Sequence, residues 1–383
     1  MTQQRSPIHA PASPVRREAY PAAREASPKL QAYFSAKAEK LKQLGEEIGP
    51  LPDADVIEAI ITAAFWASLR REEGATSRIS LAFVAPEQTE HSFVFERPLP
   101  IEPAMLTRVA PAVERAGIHL GVWRDSEQGL RVWGAARGIP RLCLVVEAAA
   151  PGLIVVKNQS GGGSGKFVNV AVLEGDEVKI VNRQASGVPD YRSLLNSLLG
   201  FDSTFWVRAP SIFVQLAVAM RSHGHGGSLL VVNSATDAWR DSIVPPIPYA
   251  LSPHFSGLAQ PSDDEPEGLR RLVDSVAGLT AVDGAVVLTD RCELLGFGAK
   301  IMRRKGRLQV EQVRVMEPVE GSVAALVHPE HFGGTRHLSA AQFVHDQPDA
   351  AALVASQDGR FTIFEWSPHE EIVHAHRVET LLL

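Results

Sequence analysis

Helical periodicity marks the chain between residues 38 and 71. Val56 and Ile60, with the alanines that follow them, recur at the spacing of a helix with one apolar face. Asp53 or Asp55 stands at the start of this pattern, where an N-cap residue is expected. A more polar helical pattern, AEKLKQLGEEI, comes before it. These patterns predict two helices ahead of the first strand.

Short apolar runs typical of strands follow, beginning near residue 79. Several are separated by turn-forming residues such as Pro151-Gly152. The runs are ISLAFVAP, HSFVFE, LGVWRD, LRVWGAA, LCLVVEAA and LIVVKN. Together with the helices they predict a β-rich α+β domain, to which we assign residues 34–200.

Helices and strands alternate in the rest of the chain. SIFVQLAVAM has helical spacing, and Leu269 and Val273 belong to one apolar helical face further on. The strands between and after these helices are SLLVVN, GAVVLTD and ELLGFGAKI, followed by a hairpin of ALVASQ and FTIFEW around Asp358-Gly359. This alternation predicts an α/β domain over residues 205–383, with a mixed sheet and flanking helices.

A proline-rich segment, residues 1–33, precedes both domains. Its prolines recur among Ala, Ser and Arg. Such a composition buries too little apolar surface to offset the entropy that is lost on ordering. We therefore expect a disordered tail.

The overall composition is that of an ordinary globular protein, with 383 residues, 45% hydrophobic and 21% charged. Its net charge of −6 lacks the basic character of a general nucleic-acid binder. Cys143 and Cys292 fit no metal or disulfide spacing, which indicates a reducing compartment. No apolar run reaches the ~20 residues of a membrane helix, and no secretory leader pattern opens the chain. We expect a soluble, cytoplasmic protein with no membrane, DNA or RNA partner.

The segment GGTRHLSAA, residues 333–341, admits two interpretations. In the first it is an ordinary loop in which Ser339 caps a short helix. In the second it is an anion site, because glycines let backbone N–H groups approach a phosphate and the helix start adds partial positive charge. Arg336 would then supply a fork of donors. This stretch alone leaves both interpretations open.

The segment VDGAVVLTD, residues 282–290, adds a second candidate. Asp283 and Gly284 stand between a predicted helix and a predicted strand. An acidic residue at a Gly-flanked turn suits Mg²⁺ binding or the activation of a hydroxyl. GGTRH follows in the same α/β domain, and SQDG comes after it. The combination favours a phosphate-handling site.

Two histidine-rich segments resemble metal motifs. RSHGHGG places His223 and His225 two apart in a glycine-rich turn without a third ligand nearby in sequence. HEEIVHAH, residues 369–376, resembles a metalloprotease pattern, but His369 and His374 are five apart and do not share a helix face. We expect a solvated turn in the first case and a polar C-terminal helix or strand in the second.

Taken in order, the C-terminal motifs resemble the diadenylate cyclase domain of the DisA type. The family's DGA motif corresponds to Asp283, Gly284 and Ala285. Its G-T-R-H-R motif corresponds to Gly334, Thr335, Arg336 and His337, with Leu338 in place of the last Arg and the hydroxyl of Ser339 after it. The later V-S-Q or V-S-E motif corresponds to Ala355, Ser356 and Gln357. The resemblance extends over residues 205–368.

This resemblance implies a DisA-N-like fold and a nucleotidyltransferase that joins two ATP molecules into the second messenger cyclic di-AMP, with Mg²⁺ or Mn²⁺. It implies catalytic roles for Asp283, Gly284 and Ala285, with Asp283 as the metal ligand. It implies nucleotide binding by Gly334, Thr335, Arg336, His337, Ser339 and Ser356. Two protomers, each holding one ATP, are expected to meet face to face as a homo-oligomer.

Leu338 supports an alternative within the same resemblance. An apolar residue there removes one bidentate phosphate partner, and Arg is not replaceable by such a group. The alternative is a catalytically degenerate, nucleotide-binding sensor or regulatory protein.

Residues from 35 to near 190 resemble the probable sensor domain DACNV, which is found ahead of such cyclase domains. The cues are FWASLRREEGA, GLRVWG and the strands behind them. This resemblance implies an N-terminal domain that senses a signal and controls the cyclase.

Overall fold

The computed structural model describes residues 19–71, 78–115, 117–125, 129–159, 167–182, 209–259 and 266–383. It divides into two compact units. The first comprises Met1–Phe167 and Leu173–Val178, and the second comprises Val168–Val172 and Lys179–Leu383. The domain boundary predicted between residues 200 and 205 lies outside the described residues.

Helices and strands are numbered here in chain order. The helices are α1 Pro21–Gln43, α2 Ala54–Ser68, α3 Pro103–Val109, α4 Ala209–Ser222, α5 Pro266–Leu279, α6 Pro329–Phe332, α7 Thr335–Asp346 and α8 Glu379–Leu382. The first strands are β1 Ile79–Phe83, β2 His91–Pro100, β3 His119–Asp125, β4 Gly129–Arg137, β5 Leu144–Ala150, β6 Leu153–Gln159, β7 Phe167–Glu174 and β8 Glu177–Ile180. The later strands are β9 Gly227–Val232, β10 Tyr249–Phe255, β11 Ala285–Thr289, β12 Leu294–Ala299, β13 Val313–Met316, β14 Ala325–Val327, β15 Ala351–Ala355, β16 Phe361–Ser367 and β17 Ile372–Arg377.

The first sheet has eight strands in the order β2-β4-β3-β1-β5-β6-β7-β8. It is mixed, because β1 pairs with β3 in parallel and with β5 antiparallel. Helix α2 begins as its sequence predicts, since the Asp53 carboxylate accepts a hydrogen bond from the Val56 N–H at 2.9 Å. Its isoleucines Ile57, Ile60 and Ile61 are fully buried.

Helix α1 corrects part of the predicted disordered tail. It begins at Pro21, and Ala22, Ala26, Leu30 and Phe34 along it are buried. Pro21 occupies the first helical turn, where the missing N–H costs nothing. Proline content alone was therefore a poor guide over residues 19–33, because the spacing of small and apolar residues provides a buried face. Residues 1–18 lie outside the described part.

The second sheet has nine strands in the order β10-β12-β11-β9-β15-β16-β17-β13-β14. Alternate residues of the interior strand β9 pack into different hydrophobic cores on the two faces of the sheet. Leu229 and Val231 pack on the side that holds α4 and α5, whereas Leu230 and Val232 pack on the side that holds α7. The result is a sheet between helical layers, in which β9 pairs with β11 in parallel and with β15 antiparallel.

The predicted fold class is confirmed: two mixed sheets with flanking helices, β-rich first. The hairpin predicted around Asp358-Gly359 is present as β15 and β16, and β11 pairs with β12 antiparallel. The helix in GGTRHLSAA differs from prediction, because it begins at Thr335 with Gly334 as N-cap, and Ser339 lies inside it. Among the described helices, none has both the length and the apolar character needed to cross a bilayer.

Candidate functional site

One edge of the second sheet collects the predicted motifs. Strands β9 and β11 begin at this edge, and β12 and β15 end there. The pairs Ala285–Ser228, Ala285–Ala299 and Ala355–Gly227 are in register. The Asp283-Gly284 turn, the end of β12 and the loop after β15 therefore lie on neighbouring strands.

The Asp283 carboxylate is exposed and forms an ion pair with the Lys300 ammonium group at the end of β12. The hydrogen bond and the charge of Lys300 lower the pKa of Asp283, and the charge of Arg336 lowers it further. The group is therefore ionised at neutral pH. An exposed, ionised carboxylate is the type of ligand that Mg²⁺ or Mn²⁺ takes together with phosphate oxygens and water, so these residues fit the implied metal.

Gly284 is required by the shape of this turn. Its φ of +109° lies in a region that side chains rarely adopt. A Cβ atom at this position would lie 2.6 Å from the carbonyl oxygen and 2.8 Å from the Cα atom of Gly298. The contact is with backbone, so no side-chain rotation relieves it.

We expect Gly284→Ala to lower the free energy of unfolding by about 2 kcal/mol or more, because it combines unfavourable φ with overpacking. Gly278→Ala is the matched control, since Gly278 lies in helix α5 with nothing within 4 Å of its added Cβ atom. That control is expected to be neutral or stabilising. Urea unfolding of the two variants checks the difference, and equal stability would contradict the close approach to Gly298.

Arg336 lies beside the loop that carries Ser356. A Cβ atom placed on Gly226, whose φ is +68°, would lie 2.9 Å from Nη1 of Arg336 and 3.1 Å from the Ala355 carbonyl oxygen. Ser356 itself begins a tight turn, in which its N–H donates to the Arg360 carbonyl oxygen at 2.9 Å. Arg336 thus neighbours the Ser356 loop, and its charge acts on Asp283.

Gly334 and Thr335 are exposed at the start of α7, where no side chain caps the helix. A helix N-terminus of this kind carries partial positive charge. Ala285, by contrast, is buried as the first residue of β11. Its role is to hold the turn against the sheet, through its pairing with both neighbouring strands.

His337 is buried below the loop, with only 5% of its surface exposed. Its Nε2 atom lies 3.4 Å from Thr362 Oγ1, and its ring packs edge-on to Phe364. Burial lowers the pKa of His337 to about 4. The side chain is therefore neutral at pH 7 and adds no positive charge to the site.

This pKa predicts acid sensitivity. The unfolded chain takes up the His337 proton below about pH 6.5, whereas the folded chain takes it up only near pH 4. The stabilisation that neutral His337 gives to the folded protein is fully present above pH 6.5 and is lost as the pH falls to 4. At 1.36 kcal/mol per pH unit, the free energy of unfolding decreases by about 3 kcal/mol in total. Urea unfolding between these pH values measures the effect. The free energy of unfolding of His337→Asn should depend less on pH than that of wild type, whereas the exposed-site control His254→Asn should follow wild type. Parallel curves for wild type and His337→Asn would contradict the buried, neutral state.

Ser339 and Leu338 line a pocket of about 380 Å³. Ile301 and Met302 contribute to the same wall, and Arg303 and Gln342 add polar groups. This size is within the range of small-molecule sites. Leu338 therefore provides apolar surface to this pocket.

Two parts of this edge were not predicted as site residues. The sequence predicts Lys300 only as the end region of a strand, and RSHGHGG as a solvated turn. In the structure the His225 carbonyl oxygen accepts a hydrogen bond from Gln357 Nε2 at 3.5 Å, and His223 contacts Thr280 Oγ1 at 3.1 Å. The order of the strands in the sheet places these residues beside Asp283 and Arg336. The one signal that the sequence offers is the lysine near the end of the glycine-rich strand ELLGFGAKI.

The first unit holds a separate polar row across three adjacent strands. Ser80 of β1 is in register with Glu147 of β5, and the parallel pairing of β1 with β3 puts His119 on its other side. Ser80 Oγ lies 2.7 Å from His119 Nδ1. His119 Nε2 is buried and has no hydrogen-bond partner among the described residues. Burial lowers the pKa of His119 to about 4, so the ring is neutral.

Glu147 connects this row to two cations. Its carboxylate pairs with Lys157, which is equally buried, and with Arg78, which is half exposed. Burial alone would raise the pKa of Glu147, but the charges and hydrogen bonds of Lys157 and Arg78 outweigh it and the pKa is lowered. These groups, together with apolar Phe167, line a pocket of about 170 Å³.

We expect Lys157→Met to lower the free energy of unfolding by about 3 kcal/mol, because it leaves Glu147 buried with only a half-exposed partner. The double variant Glu147→Gln with Lys157→Met removes both charges and should recover part of the loss. Urea unfolding of the single and double variants measures the coupling. Simple additivity of the two substitutions would contradict a buried pair.

Comparison with known proteins bears on the first unit. Residues 46–137 match the family model of the probable sensor domain DACNV, a domain found in diadenylate cyclases. No curated protein matches the chain. A solved structure that aligns with it is that of a hypothetical membrane spanning protein from Bacillus cereus, at 16% identity and a TM-score of 0.26, over 44% of this chain and 63% of that chain. That alignment spans less than two thirds of the Bacillus protein, and a likeness of that extent defines neither fold nor function.

Proposed function

We propose that the protein is a sensor-coupled diadenylate cyclase that condenses two ATP molecules into cyclic di-AMP and pyrophosphate. One observation carries this proposal. Three motifs far apart in sequence meet at one edge of the second sheet. Strand pairing brings the Asp283 turn and the Ser356 loop to the two sides of β9, and Arg336 of α7 lies beside them. The DACNV match ahead of this unit supports the same class of protein.

The reaction needs charge compensation at the polyphosphate. The 3′-oxygen of each ribose forms a bond to the α-phosphorus of the other ATP, the α–β anhydride bond breaks, and pyrophosphate leaves. Each hydroxyl proton passes to solvent. Arg336 and the uncapped start of α7 provide donors for phosphate oxygens, and Lys300 adds a second cation. Charge stabilisation of this kind is the main contribution of proteins to phosphoryl transfer.

Asp283 is assigned the role of metal ligand. Mg²⁺ or Mn²⁺, when bound, would neutralise charge on the phosphates. Because Lys300 lowers the pKa of Asp283, the carboxylate is a weak proton acceptor and a stable anion. Its contact with Lys300 also keeps the anion next to a side chain that can bind the same phosphates.

The cyclic product has two equivalent halves, so two protomers meeting face to face are part of the proposal. The first unit is assigned the regulatory role. Its buried row of Ser80, His119 and Glu147 lines a cavity of the size of a small metabolite. Buried polar groups inside such a cavity are costly unless they serve a ligand or a network.

The second candidate is a nucleotide-binding regulator that has lost catalysis. Leu338 favours it, because it lines the pocket beside Ser339 with apolar surface in place of a phosphate-binding fork. In this case Arg336 still binds the nucleotide, but no bond forms between a ribose 3′-oxygen and an α-phosphorus.

Pyrophosphate release from ATP with Mn²⁺, measured over a series of protein concentrations, separates the two candidates. A cyclase that acts between protomers should release pyrophosphate at a rate per chain that rises with protein concentration until dimers saturate. A regulator should bind ATP in calorimetry and release none. Absence of both binding and release would overturn the cyclase and the regulator alike.

A further inference from the structure

The segment HEEIVHAH forms strand β17 over Ile372–Arg377. A strand brings residues two apart onto one face, so His374 and His376 are side by side, which a helix would not have allowed. Glu365 of β16 stands directly opposite His374 in the antiparallel register. Three groups with metal-binding chemistry therefore share one face of two adjacent strands.

Their geometry is compact. One ligand atom from each of Glu365, His374 and His376 lies within 4.8 Å of the others. His376 Nε2 is 2.6 Å from a Glu365 carboxylate oxygen. Among the described residues, this is the one group of three or more such side chains with that spacing.

His376 is the buried member of this group. The ring is 2% exposed, and its Nδ1 atom has no hydrogen-bond partner within the described part of the chain. Its Nε2 atom faces the Glu365 carboxylate, so a cation bound by both groups would take the place of the proton that they share.

The surrounding charges favour a cation. Arg314 of β13 is in register with His374, and its guanidinium group pairs with Glu370. The Glu370 carboxylate also accepts a hydrogen bond from the His374 ring, with 3.0 Å between Oε2 and Nε2. Glu365 and Glu370 carry two negative charges, and Arg314 carries one positive charge. One net negative charge therefore lies beside the two histidine rings. A carboxylate hydrogen-bonded to a histidine ring is the usual support of a metal-binding histidine.

We propose that Glu365, His374 and His376 bind a divalent transition-metal ion of the Zn²⁺ class, with Glu370 orienting His374. Two imidazoles and one carboxylate are a typical zinc set that leaves a position for water. Imidazole ligands favour Zn²⁺ or Co²⁺ over Mg²⁺, so this ion is chemically distinct from the one assigned to Asp283. The ion would join β16 to β17 at a distance from the Asp283 turn along the sheet, and it does not depend on cyclase activity.

The test is calorimetric titration of Zn²⁺ into the full chain after treatment with a chelator, with Mg²⁺ in excess. Wild type should bind one equivalent tightly, and Co²⁺ should give the visible absorption of a low-coordinate site. His374→Ala, at a half-buried position, and Glu365→Gln should each weaken Zn²⁺ binding by about 10- to 100-fold. Circular dichroism confirms that each variant is folded.

Two matched controls locate the ion. His369→Ala removes a histidine from the same segment but outside the cluster, and His225→Ala tests the other histidine pair. Both should bind Zn²⁺ as wild type does. Loss of binding in His225→Ala with retention in His374→Ala would overturn the proposal, as would the absence of tight Zn²⁺ binding to wild type.

Discussion

Asp283→Asn is expected to lower the rate of cyclic di-AMP formation by about 1,000-fold, since it removes the anion that we propose as the metal ligand at the phosphates. The substitution keeps the size of the side chain. Asp283 is exposed and makes no buried contact, so the fold should be unaffected. The rate is measured from product formed at saturating ATP and Mn²⁺, and the unfolding midpoint of the same sample verifies the fold.

Asp274→Asn is the control for this prediction. Asp274 is an exposed carboxylate on helix α5 of the same unit. It should retain the wild-type rate. Unchanged turnover in Asp283→Asn would show that Asp283 has no catalytic role and would contradict an active site at this edge of the sheet.

Arg336→Ala is expected to weaken nucleotide binding by about 10- to 100-fold, because it removes a charge-assisted hydrogen bond to phosphate. Arg336→Lys should restore little of it, because an ammonium group lacks the planar fork. Calorimetry with 3′-deoxy-ATP measures binding without turnover, since this analogue has no 3′-hydroxyl to attack.

The control for Arg336 is Arg270→Ala, an exposed arginine on helix α5. It changes the net charge by the same amount and so accounts for long-range electrostatics. Equal affinities of Arg336→Ala and Arg270→Ala for 3′-deoxy-ATP would contradict a direct contact between Arg336 and phosphate.

Local patterns predicted the elements well. The N-cap at Asp53 needed only one acidic residue before an apolar helical face, and the structure shows that cap. The hairpin of β15 and β16 needed only Asp358-Gly359 between two apolar runs. Such features depend on neighbours in sequence, which the sequence displays directly.

Features that depend on distant neighbours were not predictable. Lys300 follows a glycine-rich strand, but its contact with Asp283 depends on the pairing of β11 with β12, which neighbouring residues in sequence do not display. In HEEIVHAH, helical spacing separates His369 from His374, whereas the observed strand places His374 and His376 on one face. The segment after residue 18 was judged by its prolines, whereas burial of Leu30 and Phe34 decides its structure.

The most direct test of the central claim is the mass of the product. Purified protein is incubated with ATP and Mn²⁺, and the nucleotides are separated and identified by mass spectrometry. Wild type is expected to form cyclic di-AMP, and Asp283→Asn is expected to form none. Intact ATP in the wild-type reaction, in a sample that binds 3′-deoxy-ATP tightly, would contradict the cyclase and make the Asp283 edge the binding site of a nucleotide-dependent regulator.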